Sequence, residues 1–252
     1  MKKTVGLIGF GAIGSFIYEK LSQDNVEFSF VYDAAPVQDE RISSVFTQDK
    51  ETVLKLSQQV DLVIEAAVTA VVHELALEIL KHTNMLILSV TALANDSFRE
   101  QVQAVCQASG HTLYIPHGAV LGIDGIFDGR AALKQVRMTT TKPPTSLGGA
   151  GTQAATVLYE GPTREACKLF PRNVNVHACV AFAGVGFDRT YSKIIADPNA
   201  RGNTHHIEVE ADGYDFSIEI TSKPVSTVTG ASTLAVYSSI KRILFPQGIT
   251  IV

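Results

Sequence analysis

The sequence predicts an α/β protein, with an N-terminal Rossmann domain on a doubly wound parallel sheet and a second α+β domain built on a mixed sheet. Three observations predict this class. Apolar strand-like runs alternate with helical patterns through about residue 116. Beyond residue 120, strand-like runs cluster without regular helical spacers. The chain has 252 residues, of which 46% are hydrophobic, and this is enough for two modest cores.

We place the dinucleotide-binding domain at residues 1–117, completed by a C-terminal helix within 227–252, and a catalytic and dimerisation domain at 118–226. Two patterns support this division. The pair Asp212-Gly213 lies between strand-like runs and predicts a two-residue hairpin in the second domain. The stretch from Ser232 to Leu244 is an amphipathic helix that we expect to return to the first domain. Its apolar residues on or near one side are Leu234, Tyr237, Ile240, Ile243 and Leu244.

A glycine-rich turn follows the first predicted strand. Thr4 to Ile8 is apolar almost throughout, and Gly9-Phe10-Gly11-Ala12-Ile13-Gly14 follows it directly and opens a helix. Gly9 permits the tight turn, Gly11 lets a pyrophosphate approach bare backbone, and Gly14 lets the helix pack on its strand. The helix N-terminus then offers free N–H groups to phosphates. We therefore predict dinucleotide binding by Gly9, Gly11, Ala12, Ile13 and Gly14.

Two further positions are predicted to face the cofactor. A second apolar strand ends at Asp33, roughly 20 residues after the glycines, where a carboxylate can accept both ribose hydroxyls. This carboxylate repels a 2′-phosphate and no arginine follows it immediately, so NAD is favoured and NADP stays possible. Ala66 follows a later strand and falls on the cofactor side of the sheet, or it is a plain connection residue.

Composition argues against several classes of protein. The net charge is −4 and the basic residues are scattered, so a nucleic-acid partner is not expected. Met1-Lys2-Lys3 runs straight into the first strand, and no apolar stretch approaches ~18 residues, so we expect a cytoplasmic protein without a membrane partner. Cys106, Cys167 and Cys179 are odd in number and far apart, which predicts reduced thiols and no metal site.

A histidine in the second domain is a candidate general acid/base. If a strand begins near Asn203, its period of two places Asn203, His205, Ile207 and Val209 on one inward face. An inward His205, oriented by Asn203, could move protons because its unperturbed pKa of roughly 6.5 is near working pH. The alternative is a buried neutral histidine satisfied by the backbone. Zinc is less plausible, because the adjacent His206 would point to the opposite face.

A second polar cluster opens a helix after Phe170-Pro171. Arg172 with Asn173 and Asn175 precedes an apolar helical stretch. Either asparagine could be an N-cap. The same residues could instead hold a carboxamide or a substrate carboxylate at the positive end of the helix.

Several motifs together resemble the L-aspartate dehydrogenase family. They are the glycine turn, Pro116-His117-Gly118-Ala119, Lys142-Pro143-Pro144, Phe170-Pro171-Arg172-Asn173-Val174-Asn175-Val176, Ala196-Asp197-Pro198 and Asn203-Thr204-His205. The resemblance spans nearly the whole chain. It implies a homodimer that oxidatively deaminates aspartate to iminoaspartate with NAD(P), with His205 in the active site and Ala119 and Asn175 touching the nicotinamide cofactor.

The resemblance also directs attention to the substrate. A dicarboxylic amino acid needs cationic or amide partners, and Arg172 and Lys142 are the first candidates. His117 borders the expected cleft between the domains and is a further candidate. The chain departs from the family at His117 and Val68, where serine is common, and at Leu121, where glycine is common. Iminoaspartate would hydrolyse to oxaloacetate and ammonia, or pass to quinolinate in NAD biosynthesis.

Two alternatives are open at this stage. A related two-domain reductase, of the dihydrodipicolinate reductase or homoserine dehydrogenase type, would share the architecture. The paired histidines of the former continue into a lysine, whereas His205-His206 is followed by Ile207-Glu208. The second alternative is a non-catalytic NAD(H)-binding sensor, which typically exposes a basic surface if its partner is DNA, and no such surface is evident.

Overall fold

The computed structural model describes residues 2–147, 153–222, 224–225, 228–246 and 248. The chain forms two compact units. The first holds the residues up to Pro116 together with those from Thr233 through the last helix, and the second holds His117–Ser232. Of the predicted closing segment 227–252, residues 227, 247 and 249–252 lie outside the described residues. No helix in the described part of the chain is long and apolar enough to cross a bilayer.

The first unit contains a six-stranded sheet in the order β3-β2-β1-β4-β5-β6, and all of its pairs are parallel. Its strands are β1 (Lys3–Ile8), β2 (Val26–Tyr32), β3 (Phe46–Thr47), β4 (Leu62–Glu65), β5 (Asn84–Ile87) and β6 (Leu113–Tyr114). The inner strands are buried on both faces, as parallel sheets require. The predicted doubly wound sheet is confirmed. Strand β3 is an addition, since weak periodicity there predicts only a loop.

Four helices connect these strands, and side chains set where two of them begin. They are α1 (Ala12–Gln23), α2 (Lys50–Ser57), α3 (Thr69–Ile79) and α4 (Asp96–Ser109). Asp49 caps α2 by accepting hydrogen bonds from the N–H groups of Glu51 and Thr52. Asn95 caps α4 in the same way, and Gly110 ends that helix in the left-handed region at φ 75°.

The last helix, α8 (Gly230–Leu244), packs into the core of the first unit, as predicted. Its buried stripe consists of Val236, Ile240 and Leu244, which are four residues apart. The Tyr237 hydroxyl and the Lys241 ammonium both contact the Asp24 carboxylate, with Lys241 Nζ 3.0 Å from Oδ1. The expectation for Leu234 is wrong: its side chain is 54% exposed. It lies two positions before Val236, on the opposite side of the helix.

The second unit contains a five-stranded mixed sheet in the order β11-β10-β7-β9-β8, where only β7 and β9 are parallel. Its strands are β7 (Leu133–Lys142), β8 (Thr156–Pro162), β9 (Thr190–Ala196), β10 (Thr204–Ala211) and β11 (Tyr214–Thr221). The short strands β12 (Pro224–Val225) and β13 (Val228–Thr229) pair with each other. The predicted mixed sheet is confirmed.

The described residues of this unit include three α-helices: α5 (Ile123–Asp128), α6 (Thr163–Leu169) and α7 (Asn175–Ala183). Ile126 and Val180 pack with Val136 and Ile207 of the sheet to form its core. Helix α5 was not predicted, because six residues show no helical period. The Asp212-Gly213 hairpin joins β10 to β11, with Gly213 at φ 90°, as predicted. The thiols of Cys106, Cys167 and Cys179 are free.

Candidate active site

The turn Gly9–Gly14, hereafter the glycine turn, depends on missing side chains at two of its three glycines. Gly9 has φ 94°, and a Cβ there would lie 2.6 Å from the carbonyl oxygen of Ala66. A Cβ on Gly14 would overlap the carbonyl oxygen of Gly9. A Cβ on Gly11 would meet no atom within 4 Å among the described residues. Packing therefore explains Gly9 and Gly14, and the space beside Gly11 is open to a ligand.

The start of α1 is also open. Gly11 is its N-cap and supplies no side-chain hydrogen bond, so N–H groups of the first turn are free to bind an anion. Ala12 and Ile13 form that first turn and are exposed, with Ile13 36% accessible. A dinucleotide pyrophosphate fits this arrangement, because it needs bare backbone and free N–H groups.

Asp33 is tied to the glycine turn. It follows β2 directly, and its Oδ2 accepts a hydrogen bond of 2.9 Å from the N–H of Phe10, inside the turn. Its Oδ1 accepts a second bond of 3.0 Å from the N–H of Ala35. The carboxylate is half-buried. Its position relative to the open space at Gly11 is therefore fixed by the backbone, and each oxygen retains a lone pair for a further donor.

A buried carboxylate at the end of β4 supports the neighbouring loops. Glu65 ends β4 with no exposed surface, and it accepts hydrogen bonds from the N–H groups of Ala67 (2.7 Å), Leu88 (3.1 Å) and Ser89 (3.0 Å) and from the Ser89 hydroxyl (2.8 Å). Burial raises its pKa, while these donors oppose the shift. Ala66 is held beside it by an N–H bond of 2.7 Å to the carbonyl of Ile8. Glu65 thus links the ends of β4 and β5.

In the second unit, His205 lies on β10 with 3% of its surface exposed. Its Nδ1 is 2.9 Å from the Thr140 hydroxyl, and Thr140 is its cross-strand neighbour on β7. No described hydrogen bond joins the side chains of Asn203 and His205, so the orienting role of Asn203 stays a prediction. Residues two apart on one face are about 6.6 Å apart along the strand, whereas the cross-strand neighbour is in direct contact.

Burial also changes the acid/base properties of His205. Burial, together with a smaller contribution from the nearby charge of Lys142, lowers the pKa of the imidazole to about 4. The expectation of a pKa close to neutral is therefore wrong. At pH 7 the ring is neutral and offers a lone pair, so it can accept a proton.

Lys142 is a buried cation. It lies two residues from Thr140 on the buried face of β7, is 8% exposed, and donates a 2.9 Å hydrogen bond from Nζ to the carbonyl of Asn173. Burial lowers its pKa to about 8. Among the ion pairs of the described residues, none includes Lys142. A mostly protonated ammonium that is desolvated and lacks an acidic partner favours an anionic ligand.

A second histidine, His177, was not singled out from the sequence. It lies on α7 with no exposed surface, and burial lowers its pKa to about 3, with smaller contributions from His205 and Lys142. Nε2 is 2.7 Å from the Thr140 hydroxyl and Nδ1 is 2.9 Å from the Ser192 hydroxyl. The sequence did contain a signal for a buried histidine, because His177 stands at the start of an apolar helical stretch.

These contacts form one continuous hydrogen-bonded series, hereafter the histidine chain. It consists of His205, Thr140, His177, Ser192 and Thr163. The structure therefore joins His205 to a buried polar network and places the Lys142 charge close to it.

The other predicted residues of this unit are less buried or bonded elsewhere. Arg172 is exposed in the turn before α7. Asn175 is the first residue of α7 and half-buried; the N-cap is Val174, so neither Asn173 nor Asn175 is the cap. His117 is half-buried, with Nδ1 3.0 Å from the carbonyl of Val120.

Ala119 is 6% exposed. Two of the departures noted above also have a structural context. Val68 is the N-cap of α3 and provides no side-chain cap, a hydrogen bond that serine could make. Leu121 is 56% exposed.

Comparison with known proteins agrees with this architecture. The protein-family model described as "Aspartate dehydrogenase, C-terminal" matches residues 126–244. A second family model, described as "Homoserine dehydrogenase, NAD binding domain", matches residues 9–116. The chain is 32% identical to an L-aspartate dehydrogenase of Nitrosopumilus maritimus, covering 95% of this chain and 94% of that one. It is 35% identical to one of Methanosarcina barkeri, covering 96% and 97%.

A solved structure agrees as well. The crystal structure of aspartate dehydrogenase from Thermotoga maritima superimposes with a TM-score of 0.84 at 28% identity, over 100% of both chains. The similarity thus covers both units, and the chain belongs to the L-aspartate dehydrogenase family.

Proposed function

We propose that the chain oxidises L-aspartate to iminoaspartate with a nicotinamide dinucleotide. One observation carries the proposal beyond family membership: in the second unit, the buried Lys142 ammonium, which forms no ion pair with any described residue, lies close enough to the neutral His205 to lower its pKa. This pair provides an anion-binding group and a proton acceptor at one place. The oxidation of an amino acid to its imine needs both.

The proposed roles follow from the chemistry of each group. Lys142 binds one substrate carboxylate. The negative charge of this carboxylate offsets the positive charge of Lys142, and this raises the pKa of His205 towards 7. His205 then takes a proton from the substrate amine, or from the water that attacks the imine. Arg172 is the candidate for the second carboxylate, and its exposed position would let it close over the ligand. On the family resemblance, we also propose that Asn203 and His117 lie at the substrate, and Ala119 and Asn175 at the cofactor.

The first unit binds the cofactor in this proposal. The open space at Gly11 and the free N–H groups of α1 hold the pyrophosphate, with Gly9, Ala12, Ile13 and Gly14 shaping the turn and Ala66 beside it. A bound nicotinamide supplies the hydride acceptor for the substrate α-carbon. Asp33 holds the ribose hydroxyls and favours NAD over NADP, because its carboxylate repels a 2′-phosphate.

The product is expected to hydrolyse to oxaloacetate and ammonia or to enter quinolinate formation. On the family resemblance we also propose a homodimer. Size-exclusion chromatography with light scattering would test it, and a monomer at the concentration of the activity assay would contradict it.

The deciding experiment is a direct assay. Purified protein is mixed with aspartate and either NAD or NADP, and the absorbance of reduced cofactor is followed, with glutamate and alanine as control substrates. We expect turnover with aspartate only, and the reverse reaction with oxaloacetate and ammonia. No turnover in either direction with either cofactor would remove the proposal.

The cofactor preference has its own test. Replacing Asp33 with Ala should weaken NAD relative to NADP, since the ribose acceptor and the repulsive charge are both lost. Titration of each cofactor against the variant would measure this. An unchanged ratio of affinities would mean that the ribose is held elsewhere.

A further inference from the structure

The histidine chain ends at a backbone carbonyl, and this end sets its direction. The Thr163 hydroxyl lies 3.0 Å from the carbonyl oxygen of Thr190 and 2.7 Å from the Ser192 hydroxyl. A carbonyl can only accept, so the single Thr163 proton goes to Thr190. Thr163 must therefore accept a hydrogen bond from the Ser192 hydroxyl, so Ser192 has no second proton to donate.

The direction carries through to His205, one proton at a time. Because the Ser192 hydroxyl donates its only proton to Thr163, its oxygen accepts a hydrogen bond of 2.9 Å from Nδ1–H of His177. A neutral His177 with its proton on Nδ1 has a bare Nε2, which accepts from the Thr140 hydroxyl at 2.7 Å. Thr140 then accepts from Nδ1–H of His205 at 2.9 Å. The five contacts are thus matched by five protons.

We infer that the histidine chain fixes His205 in the tautomer protonated on Nδ1, so that Nε2 is its free proton-accepting nitrogen. His177 and Thr140 are positioning residues in this inference, since they act through His205. The hydrogen-bond partner of one ring nitrogen decides which nitrogen of a neutral imidazole is basic. The inference deepens the proposed function by naming the atom of His205 that takes the proton.

The reverse direction is not compatible with all five contacts. If His177 carried its proton on Nε2, then Ser192 would donate to Nδ1 and Thr163 would donate to Ser192. The oxygens of Thr163 and Thr190 would then face each other at 3.0 Å with no proton between them. A protonated His177 would also reverse the last two bonds. Its complete burial and lowered pKa of about 3 keep it neutral at working pH.

The test is the tautomer of His205 in the free protein. Protein labelled with ¹⁵N-histidine is examined by long-range ¹H–¹⁵N correlation near pH 7.5, with His177→Phe and His205→Gln used for assignment. We expect His205 and His177 both to be protonated on Nδ1. A wild-type His205 protonated on Nε2 would overturn the inference. Because no substrate is added, this result is independent of whether aspartate is turned over.

Substitution of the bridging hydroxyl gives a second readout. Thr140→Val removes the acceptor of Nδ1–H at nearly constant volume, so we expect a changed His205 tautomer population and a fall in kcat of ~10-fold or more, with KM nearly constant. Thr140→Ser keeps the hydroxyl and should restore the tautomer and most of kcat. A Thr140→Val enzyme with the wild-type tautomer and kcat would contradict the inference.

Thr190→Val is the matched control. The Thr190 hydroxyl is buried and has no hydrogen-bond partner among the described residues, while its backbone carbonyl ends the histidine chain. The substitution removes a buried hydroxyl of the same unit and leaves that carbonyl in place. The His205 tautomer and kcat should therefore match the wild type. An effect as large as that of Thr140→Val would show that any buried hydroxyl matters, which would overturn the positioning role.

Discussion

The glycine turn of the first unit and the histidine chain of the second are built by opposite means. In the glycine turn, the proposed cofactor binding depends on atoms that are absent, because the missing Cβ of Gly11 leaves space beside the uncapped start of α1. In the histidine chain, the proposed proton transfer depends on buried side chains whose protons must match their acceptors. The first region should therefore respond mainly to added volume, and the second to lost hydrogen bonds and charge.

The largest expected effect tests the side-chain half of this comparison. His205→Ala removes the proposed proton acceptor, so kcat should fall ~100-fold or more while cofactor affinity stays constant. Steady-state kinetics and a cofactor titration measure the two quantities. His82→Ala, at an exposed position of the first unit, is the control and should change neither. An unchanged kcat in His205→Ala would return His205 to the role of a structural histidine.

The charge at Lys142 should affect substrate binding next most strongly. Lys142→Met removes the proposed carboxylate partner, so KM for aspartate should rise ~10-fold or more with a smaller change in kcat. In the wild type, KM should also rise above pH 8, because the Lys142 pKa of about 8 means that the ammonium is lost there.

Lys134→Met is the control for this prediction, since Lys134 is exposed on the same strand and pairs with Asp212. Its KM should match the wild type. If KM for aspartate is the same in Lys142→Met, the substrate carboxylates bind elsewhere.

The backbone half of the comparison is tested at Gly11. Gly11→Ala adds a Cβ that meets no described atom, so the unfolding temperature should stay within ~2 °C of the wild type. The same Cβ would occupy the proposed pyrophosphate space and should weaken cofactor binding ~10-fold or more. Calorimetry and cofactor titration separate the two effects.

Gly125→Ala is the matched control, because a Cβ on Gly125, in α5, also meets no described atom. Cofactor affinity should be unchanged in this variant. Wild-type affinity in Gly11→Ala would show that the pyrophosphate does not approach the turn.

The smallest expected effect is a change in the pH dependence of stability. His177 and His205 have pKa values lowered to about 3 and about 4. The unfolded chain binds protons at these residues below pH ~6.5, and the folded protein does not. Their contribution to stability is thus present above pH ~6.5 and is lost as the pH falls towards 4, at up to about 1.4 kcal/mol per pH unit for each ring.

In His177→Phe, the number of protons taken up on unfolding, which sets the slope of the unfolding free energy against pH, should fall by about one. Urea unfolding between pH 7 and pH 4.5 measures it in both proteins. Equal slopes would mean that His177 titrates normally in the folded state, and the neutral ring required by the histidine chain would be lost.

The sequence allowed much of the fold to be predicted, because the signals were local. The apolar runs of β1 and β2, the glycine turn between them and the Asp212-Gly213 hairpin are each contained in a short stretch of chain. Helix α5 was missed because six residues carry no period, and Leu234 was misplaced because its apolar character alone did not fix the buried stripe of α8.

The candidate site was predicted less completely for a physical reason. His205 was identified from its strand period, but its partner Thr140 is 65 residues away in sequence. The strand order places β7 between β10 and β9, which brings Thr140 beside His205, and helix α7 brings His177 to both Thr140 and Ser192. The lowered pKa values of His205 and Lys142 could not be predicted either, since they depend on burial in the folded protein and not on neighbours in the sequence.

The place of α8 has a consequence for how the chain is made. The second unit is one continuous segment, so it has all of its strands and helices once the ribosome has passed Ser232. The first unit still lacks Val236, Ile240 and Leu244 of its core at that moment. The unit that is translated first thus cannot complete its core until the whole second unit has been synthesised.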